Sequence, residues 1–416
     1  AGGVFCDTGG TVSNCLITGN AAYNGGGSFG GTIRNCQISN NSAIQFGGGA
    51  LGGTILDCVI CSNTAEYGGG LSSSVAERCM LERNRARSYG GAAFASRLSD
   101  CLMVRNSAFA GGATCGGEAR FCTISANSAD LLAGGSLFDF LENAIVFGNV
   151  APSSSNGIEC VFTYSCTAPL PTNDAGNVAR DPRFRNVSGS DYRLAPSSPC
   201  IDVGINAMRV ATSTDLEGTP RILNGRADMG AYEFHFDANV RTLLQGPYRT
   251  TLDAMATTPS SNLPFASPYA GDPGAVLRIP SQAVDWVLVQ ARPGLTNAPT
   301  FIRSAFLRSD GAMLSIDGET NLVIEVSPLT TNYLVVSHRN HLSAMTAQPI
   351  AFTNPTIHYS FTTGSGQYYG GTNVAVQLEP GIWGMMAGDA DGDGRITPVD
   401  RSIVTQQLGM TGYLVG

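Results

Sequence analysis

The chain has no lysine: all 24 of its basic residues are arginine. That excludes Schiff-base catalysis and a lysine general base. Charge is scarce altogether, at 13% of 416 residues, and the formal net charge of −8 argues against nucleic acid or an anionic membrane as partner. No apolar run approaches the roughly 18 residues of a membrane span, and no secretory leader is visible. There is no nucleophile elbow, phosphate loop or H-E-x-x-H motif. The opening "AGGVFCDTGG" reads like the inside of a repeat, as expected of a processed or truncated chain.

What is abundant is glycine, with 52 residues, about twice the usual share of roughly 7%. Of twelve cysteines, Cys15, Cys36, Cys58, Cys79, Cys101 and Cys122 recur at intervals of 21 or 22, which marks a repeat position and not a zinc or redox signature. Cys160, Cys166 and Cys200 are available to pair in an oxidising compartment, and the sequence assigns them no partners. Five residues after each ladder cysteine stands an asparagine: Asn20, Asn41, Asn63, Asn84, Asn106 and Asn127. Asn149 continues the series five residues after Ala144, which replaces the cysteine. Glycine pairs or triplets follow, as at Gly47 to Gly49 and Gly68 to Gly70.

Two residues after the cysteine come Ile17, Ile38, Ile60, Leu81, Met103, Ile124 and Val146. Short alternating segments joined by Gly, Asn and Ser turns, repeated at so short a period, predict one solenoid coil per repeat. Coils stacked about 4.8 Å apart would place cysteine over cysteine and asparagine over asparagine. Stacked asparagines can then bond to one another and to turn backbone. The pattern in "ISNN…GGGA" and "LERN…GGAA" resembles the repeats of chlamydial polymorphic membrane proteins, and more broadly the right-handed parallel β-helix of autotransporter passengers and pectate lyases. The expected fold is all-β: a right-handed parallel β-helix of about seven coils over 1–165, terminal coils and a cap over 166–234, an antiparallel β-sandwich over 235–385, and a calcium loop and helix over 386–416.

The cap expectation rests on "DPRFRNVSGSDYRLAPSSPCIDVG" and "TDLEGTPRILNGRADMGAYEF", which look like the terminal segment of secreted bacterial β-helix proteins and imply a cover for the last coil. The runs "AVDWVLVQAR", "AFLRSDGAMLSIDG" and "YLVVSHRNHLSAM" alternate as sandwich strands do. They resemble a β-domain near the C-terminus of large extracellular proteins of Bacteroidetes-type bacteria. In the tail "GDADGDGRITPVDRSIVTQQLG", Asp389, Asp391 and Asp393 occupy positions 1, 3 and 5 of a calcium loop, with Gly394 at 6. The Arg395 carbonyl falls at 7, Thr397 at 9 and Asp400 at 12, with a helix from about Val399. Hard oxygen ligands at that spacing suit Ca²⁺. Aspartate at position 12 resembles half of a type I dockerin. A full module carries a second loop, so a lone loop bracing the sandwich stands beside docking to a cohesin.

Three constellations invite a catalytic or metal reading. The position before each ladder cysteine, read as outward, holds Asp57, Arg78 and Asp100 on successive coils: an acid–base–acid strip, or more simply a salt ladder. "HRNH", His338 to His341, reads on a strand as two side chains facing opposite ways and so not as a joint metal pair. The aligned cysteines read as buried small side chains in preference to a metal strip or vertical disulfides. The outward column one after the cysteine includes Leu16, Val59, Met80, Leu102 and Ile145, an apolar stripe expected to be covered by a later part of the chain or by another subunit. We therefore expect a secreted or cell-surface, non-enzymatic structural or adhesive protein, partnered by itself head to tail or by other surface proteins. The competing expectations are a polysaccharide lyase, glycoside hydrolase or glycan-binding protein, and a scaffold partner that binds a cohesin.

Overall fold

Each repeat closes one turn of a parallel β-solenoid. The third turn shows the plan: strands Ala50–Leu51, Thr54–Leu56, Val59–Cys61 and Thr64–Tyr67 lie on four sides, and each pairs in parallel with the strand one repeat before and after. Val59 thus lies between Gln37 and Met80, and Ile60 between Ile38 and Leu81. The computed structural model describes residues 1–7, 9–172, 176–206, 213–257, 262–318 and 320–407. Among these, three sheets have eight strands and the fourth has six, so the solenoid has eight turns, one more than the repeat count suggests. The added turn is Gly157–Ile158, Val161–Thr163 and Cys166–Thr167.

Three of the four corners obey one rule: a residue with left-handed backbone comes first, and a small or polar residue pointing inward comes second. At the corner before the third strand, Asn14, Asn35, Asp57, Arg78, Asp100, Phe121 and Asn143 have φ between 49° and 55°. The next residue is the ladder cysteine, or Ala144. Before the fourth strand, Gly19, Asn40, Ser62, Arg83, Arg105, Ala126 and Gly148 have φ between 53° and 72°, and the ladder asparagine follows. Left-handed backbone costs an ordinary residue energy, which asparagine and glycine minimise. At the fourth corner the chain passes so close to its neighbour that a Cβ on Gly48 would lie 2.3 Å from Gly69 O and 2.4 Å from Thr64 O.

The inward residues replace hydrogen bonds that the corners deny the backbone. Asn84 Oδ1 accepts from the N–H and Nδ2 of Asn63, both at 3.0 Å. Its own Nδ2 donates to Ile60 O at 2.8 Å and to Asn106 Oδ1 at 3.0 Å. The same pattern runs from Asn20 to Asn149, and Asn156 ends the column. Cysteine acts similarly: the thiols of Cys15, Cys36, Cys58, Cys79, Cys101 and Cys122 donate to the carbonyl two residues earlier at 3.1–3.3 Å. Cys58 Sγ also accepts from Cys36 N–H at 3.3 Å. In the eighth turn Ser165 stands in this place, accepting from Ala144 N–H at 3.0 Å. Between the ladders, Ile33, Ile38, Ile55, Ile60, Leu71 and Leu81 are fully excluded from water and pack into one core.

The chain forms two compact units, Ala1–Phe234 and His235–Gly416. In the first, the segment after the last strand does more than cover the end. Val178 bridges Cys166 on the eighth turn. Residues 184–206 and 213–232 then lie along the third sheet. Leu102, Val104 and Met80 of that sheet pack with Phe184, Tyr192, Leu216, Ala231 and Tyr232. In the second unit, Met313–Leu314, Phe301–Arg308, Ala283–Arg292, Thr331–His338 and His341–Met345 form an antiparallel sheet around Trp286 and Phe306. A smaller sheet is mixed, since Phe236–Arg241 runs parallel to Thr356–Ser360 and antiparallel to Leu322–Ile324. The α-helix Pro398–Gln407 is the only one among the described residues.

Replacing Asn84 by alanine should strand Asn63 N–H in a dry interior and remove a second donor from Ile60 O, at a cost on the order of 3 kcal/mol; urea denaturation would measure it. Cys58→Ser should stay within about 1 kcal/mol of the parent, because Ser165 already fills this position, whereas Cys58→Ala should cost more by orphaning Cys36 N–H.

Candidate functional site

Three places on the molecule combine exposure, charge or unsatisfied polar groups in a way that chemistry or recognition would use. The first is the column one residue after the cysteine ladder. It changes character along the solenoid: Leu16 is 63% exposed and Val59 38%, while Leu102 and Ile145 are 3% and 1% exposed. Met80, half-buried, lies at the boundary. The returning segment makes the difference. Ala231 N–H donates to Thr123 Oγ1 at 3.0 Å, Asn143 exchanges hydrogen bonds with Ile205 at 2.8 and 2.9 Å, and Arg105 reaches Ser190 at 2.8 Å. Of the five residues read as an interface, Met80, Leu102 and Ile145 therefore face the chain's own strap or lie beneath it, and Leu16 and Val59 remain uncovered.

The second place is the strip Asp57, Arg78 and Asp100. These residues are left-handed corner positions, not simple outward strand positions, and they do not act together. Arg78 Nε binds Asp57 at 2.7 Å and also pairs with Glu77. Asp100 turns away and is buried, with its carboxylate 2.7 Å from Arg221 Nε. Burial raises the Asp100 carboxyl above its ordinary value, and the Arg221 charge opposes that rise. The acid–base–acid strip is thus divided between two ion pairs, and Arg221, 121 residues away, is the partner that spacing could not reveal. On another face, Phe46, Tyr67 and Tyr89 stack with centroids 5.2 and 6.0 Å apart and planes within 27°. The face that a sugar ring would cover on Tyr67 is already against its neighbours.

The third place is the acidic loop of the tail. The carboxylates of Asp389, Asp391 and Asp393 converge, with one oxygen of each within 4.8 Å of the others. Gly392 and Gly394 take φ of 74° and 83° to let the loop curl. Asp389 is buried, and its Oδ1 has no hydrogen-bond partner among the described residues, as expected of an oxygen reserved for a cation. Asp400 behaves differently from the position-12 ligand that spacing assigns. It accepts from the N–H groups of Ala390, Asp391 and Thr397 at 2.8, 3.2 and 2.6 Å and from the Thr397 hydroxyl at 3.1 Å. Those bonds, led by Thr397 N–H, hold its carboxyl down at about 2. Thr397 Oγ1 in turn accepts from Val399 N–H at 3.2 Å. Arg395 N–H donates to Asp393 Oδ1 at 2.8 Å. The donor set suits a hard divalent ion, with three carboxylates converging and Asp400 serving as the brace of the loop.

Two further sites depart from the sequence reading: the histidines, read as facing opposite ways, meet, and Asp139 was not singled out. His338 and His341 are not on one continuous strand: Arg339 and Asn340 form a tight turn, so the two histidines pair directly across a hairpin. Their Nδ1 atoms lie 2.9 Å apart, and both rings are buried. His341 Nε2 contacts Gln245 O at 2.8 Å, and His338 Nε2 lies 3.2 Å from Asp285. Burial, with His338 adding to it, drops the His341 ring to about 4, so it is neutral at physiological pH. The third corner column, occupied by Gly53, Ser74, Ser96 and Gly117, carries Asp139 in the seventh turn. Asp139 accepts from Gly117 N–H at 2.6 Å and from the Thr114 hydroxyl at 2.7 Å. Burial pushes its carboxyl up to about 6 against both bonds.

The cysteines are all free thiols. Burial holds Cys79 and Cys101 far above the ordinary thiol range, and Cys115 and Cys160 at about 12, so these side chains are protonated thiols at neutral pH. No helix among the described residues is long and apolar enough to cross a membrane. No protein-family model matches the chain, and no curated protein matches it in sequence.

The raised Asp139 carboxyl has a pH consequence. The folded state holds this proton more tightly than the unfolded chain, so the contribution is present below about pH 4 and is lost as pH rises through about 6. Asp139→Asn should therefore gain on the parent across that window, by up to roughly 3 kcal/mol. Paired urea titrations at pH 4 and pH 7 would check the sign.

Proposed function

We propose that this protein is a non-enzymatic structural or adhesive component of a bacterial cell surface, its solenoid serving as a shaft that docks along one side to another copy or to a neighbouring surface protein. The observation that carries this reading is the split apolar column. The chain covers it from the fourth to the seventh turn and leaves Leu16 and Val59, in the first and third, open to water. The same side is thus built to be covered, and the open end of the column, Leu16 and Val59 on either side of exposed Gln37, is offered as the recognition surface. The charges that a lyase would bring to its groove support the non-enzymatic reading from the other direction: Asp57 is committed to Arg78, and Asp100 to Arg221.

The tail loop fits the same setting. Extracellular modules bind Ca²⁺ weakly because the ion is abundant there. In this reading Asp389, Asp391 and Asp393 hold the ion, and Asp400 keeps the loop in shape for it.

Charging the open stripe tests the docking. The Leu16→Asp, Val59→Asp chain should fold as the parent does, since both side chains already meet water. It should sediment as a monomer at concentrations where the parent self-associates or is retained by a cell-surface fraction. A parent that stays monomeric and is not retained, or a double variant that still self-associates or is still retained, would sink the reading.

A further inference from the structure

The returning segment buries more negative charge than it neutralises. Asp202, Asp228 and Glu233 each bring a carboxylate oxygen within 4.8 Å of the others, and Asp228 and Glu233 are almost wholly excluded from solvent. Backbone hydrogen bonds gather them. Asp202 N–H donates to Asp228 Oδ1 at 2.7 Å, Phe234 N–H to Asp228 Oδ2 at 2.6 Å, and Asp228 N–H to Glu233 Oε2 at 3.1 Å.

The available positive charge is mostly spent elsewhere. Arg221, fully buried, gives its Nε to Asp100 and a long contact of 3.4 Å to Phe121 O, and only Nη1 faces Glu233 Oε2, at 3.7 Å. Arg226 donates to the carbonyls of Val203 and Gly204. Glu233 Oε1 is inaccessible to water and has no hydrogen-bond partner among the described residues, although Leu223 N–H faces the carboxylate. A buried carboxylate oxygen with no donor is costly unless a proton or a cation meets it.

We propose that Asp202, Asp228 and Glu233 form a second cation site, which takes a hard divalent ion such as Ca²⁺ and fastens the returning segment. The donors are all oxygen, as such an ion prefers, and half-buried Asp202 gives water and the ion a way in. The ion would tie positions 202, 228 and 233 into one knot, beside the Arg221–Asp100 contact that joins the segment to the fifth turn. This site is independent of the tail loop, so each can fail without the other.

The test uses the full chain stripped with chelator and compared with its Asp391→Ala, Asp393→Ala form, in which the tail loop is disabled. Equilibrium dialysis against Ca²⁺ should leave about one ion per loop-disabled chain, with a Ca²⁺-dependent rise in Tm. Adding Glu233→Gln, or the gentler Asp202→Asn, should weaken that binding at least about tenfold. A folded loop-disabled chain that binds no Ca²⁺ overturns the site and identifies protons as what neutralises it. Unchanged binding after Asp202→Asn in a folded chain overturns it equally. If the parent and the loop-disabled chain bind the same single ion, the tail-loop reading fails and the site proposed here stands.

Discussion

A polar group inside a solenoid must find its partner at its own corner or one turn away, and this constraint shapes the solenoid of the first unit. Every turn makes sharp corners, and every corner takes backbone groups out of the ladder between strands. The inward residue at each corner restores the lost bonds by reaching to the next turn. Asparagine does so with both ends of its amide, and cysteine and serine with one atom that both donates and accepts. A carboxyl in the same role, as at Asp139, does it only at an electrostatic cost. Apolar packing supplies the driving force, but the ladders fix the register, because a slip by one residue would leave all of them unpaired.

This explains what was legible in the sequence. The cysteine and asparagine columns are spaced strictly enough to give the solenoid, its period and its inward positions. The glycine triplets mark the corner where no Cβ fits. The column before the cysteine reads as a salt ladder in preference to a catalytic strip, and Asp57–Arg78 is one such rung. What that reading misses is that the column holds a backbone angle constant, with Asn, Asp, Arg and Phe all occupying it. Side-chain chemistry varies there because the constraint is not on the side chain. The histidine pair failed similarly, because a turn of two residues inside an apolar run puts side chains three apart on the same side.

The strap was beyond local reading altogether. Arg221 meets Asp100 across 121 residues, and Ala231 meets Thr123 across 108. No periodicity links such positions, and the wording that marks the segment as a cap does not say which side of the solenoid it would cover. Its apolar anchors, Phe184, Tyr192, Leu216 and Tyr232, make sense only once the stripe they cover is known. The sequence therefore showed that the stripe needed a cover, and left open which molecule provides it.

Because the strap crosses the fourth to seventh turns, the solenoid is stitched at one end and unstitched at the other. Thermal opening of a stacked array starts where neighbours are fewest. The unstitched turns are therefore where opening is expected to begin, and Leu16 and Val59 lie on them. A partner docking there would meet the more adaptable half of the solenoid, with the strapped half as a rigid keel behind it.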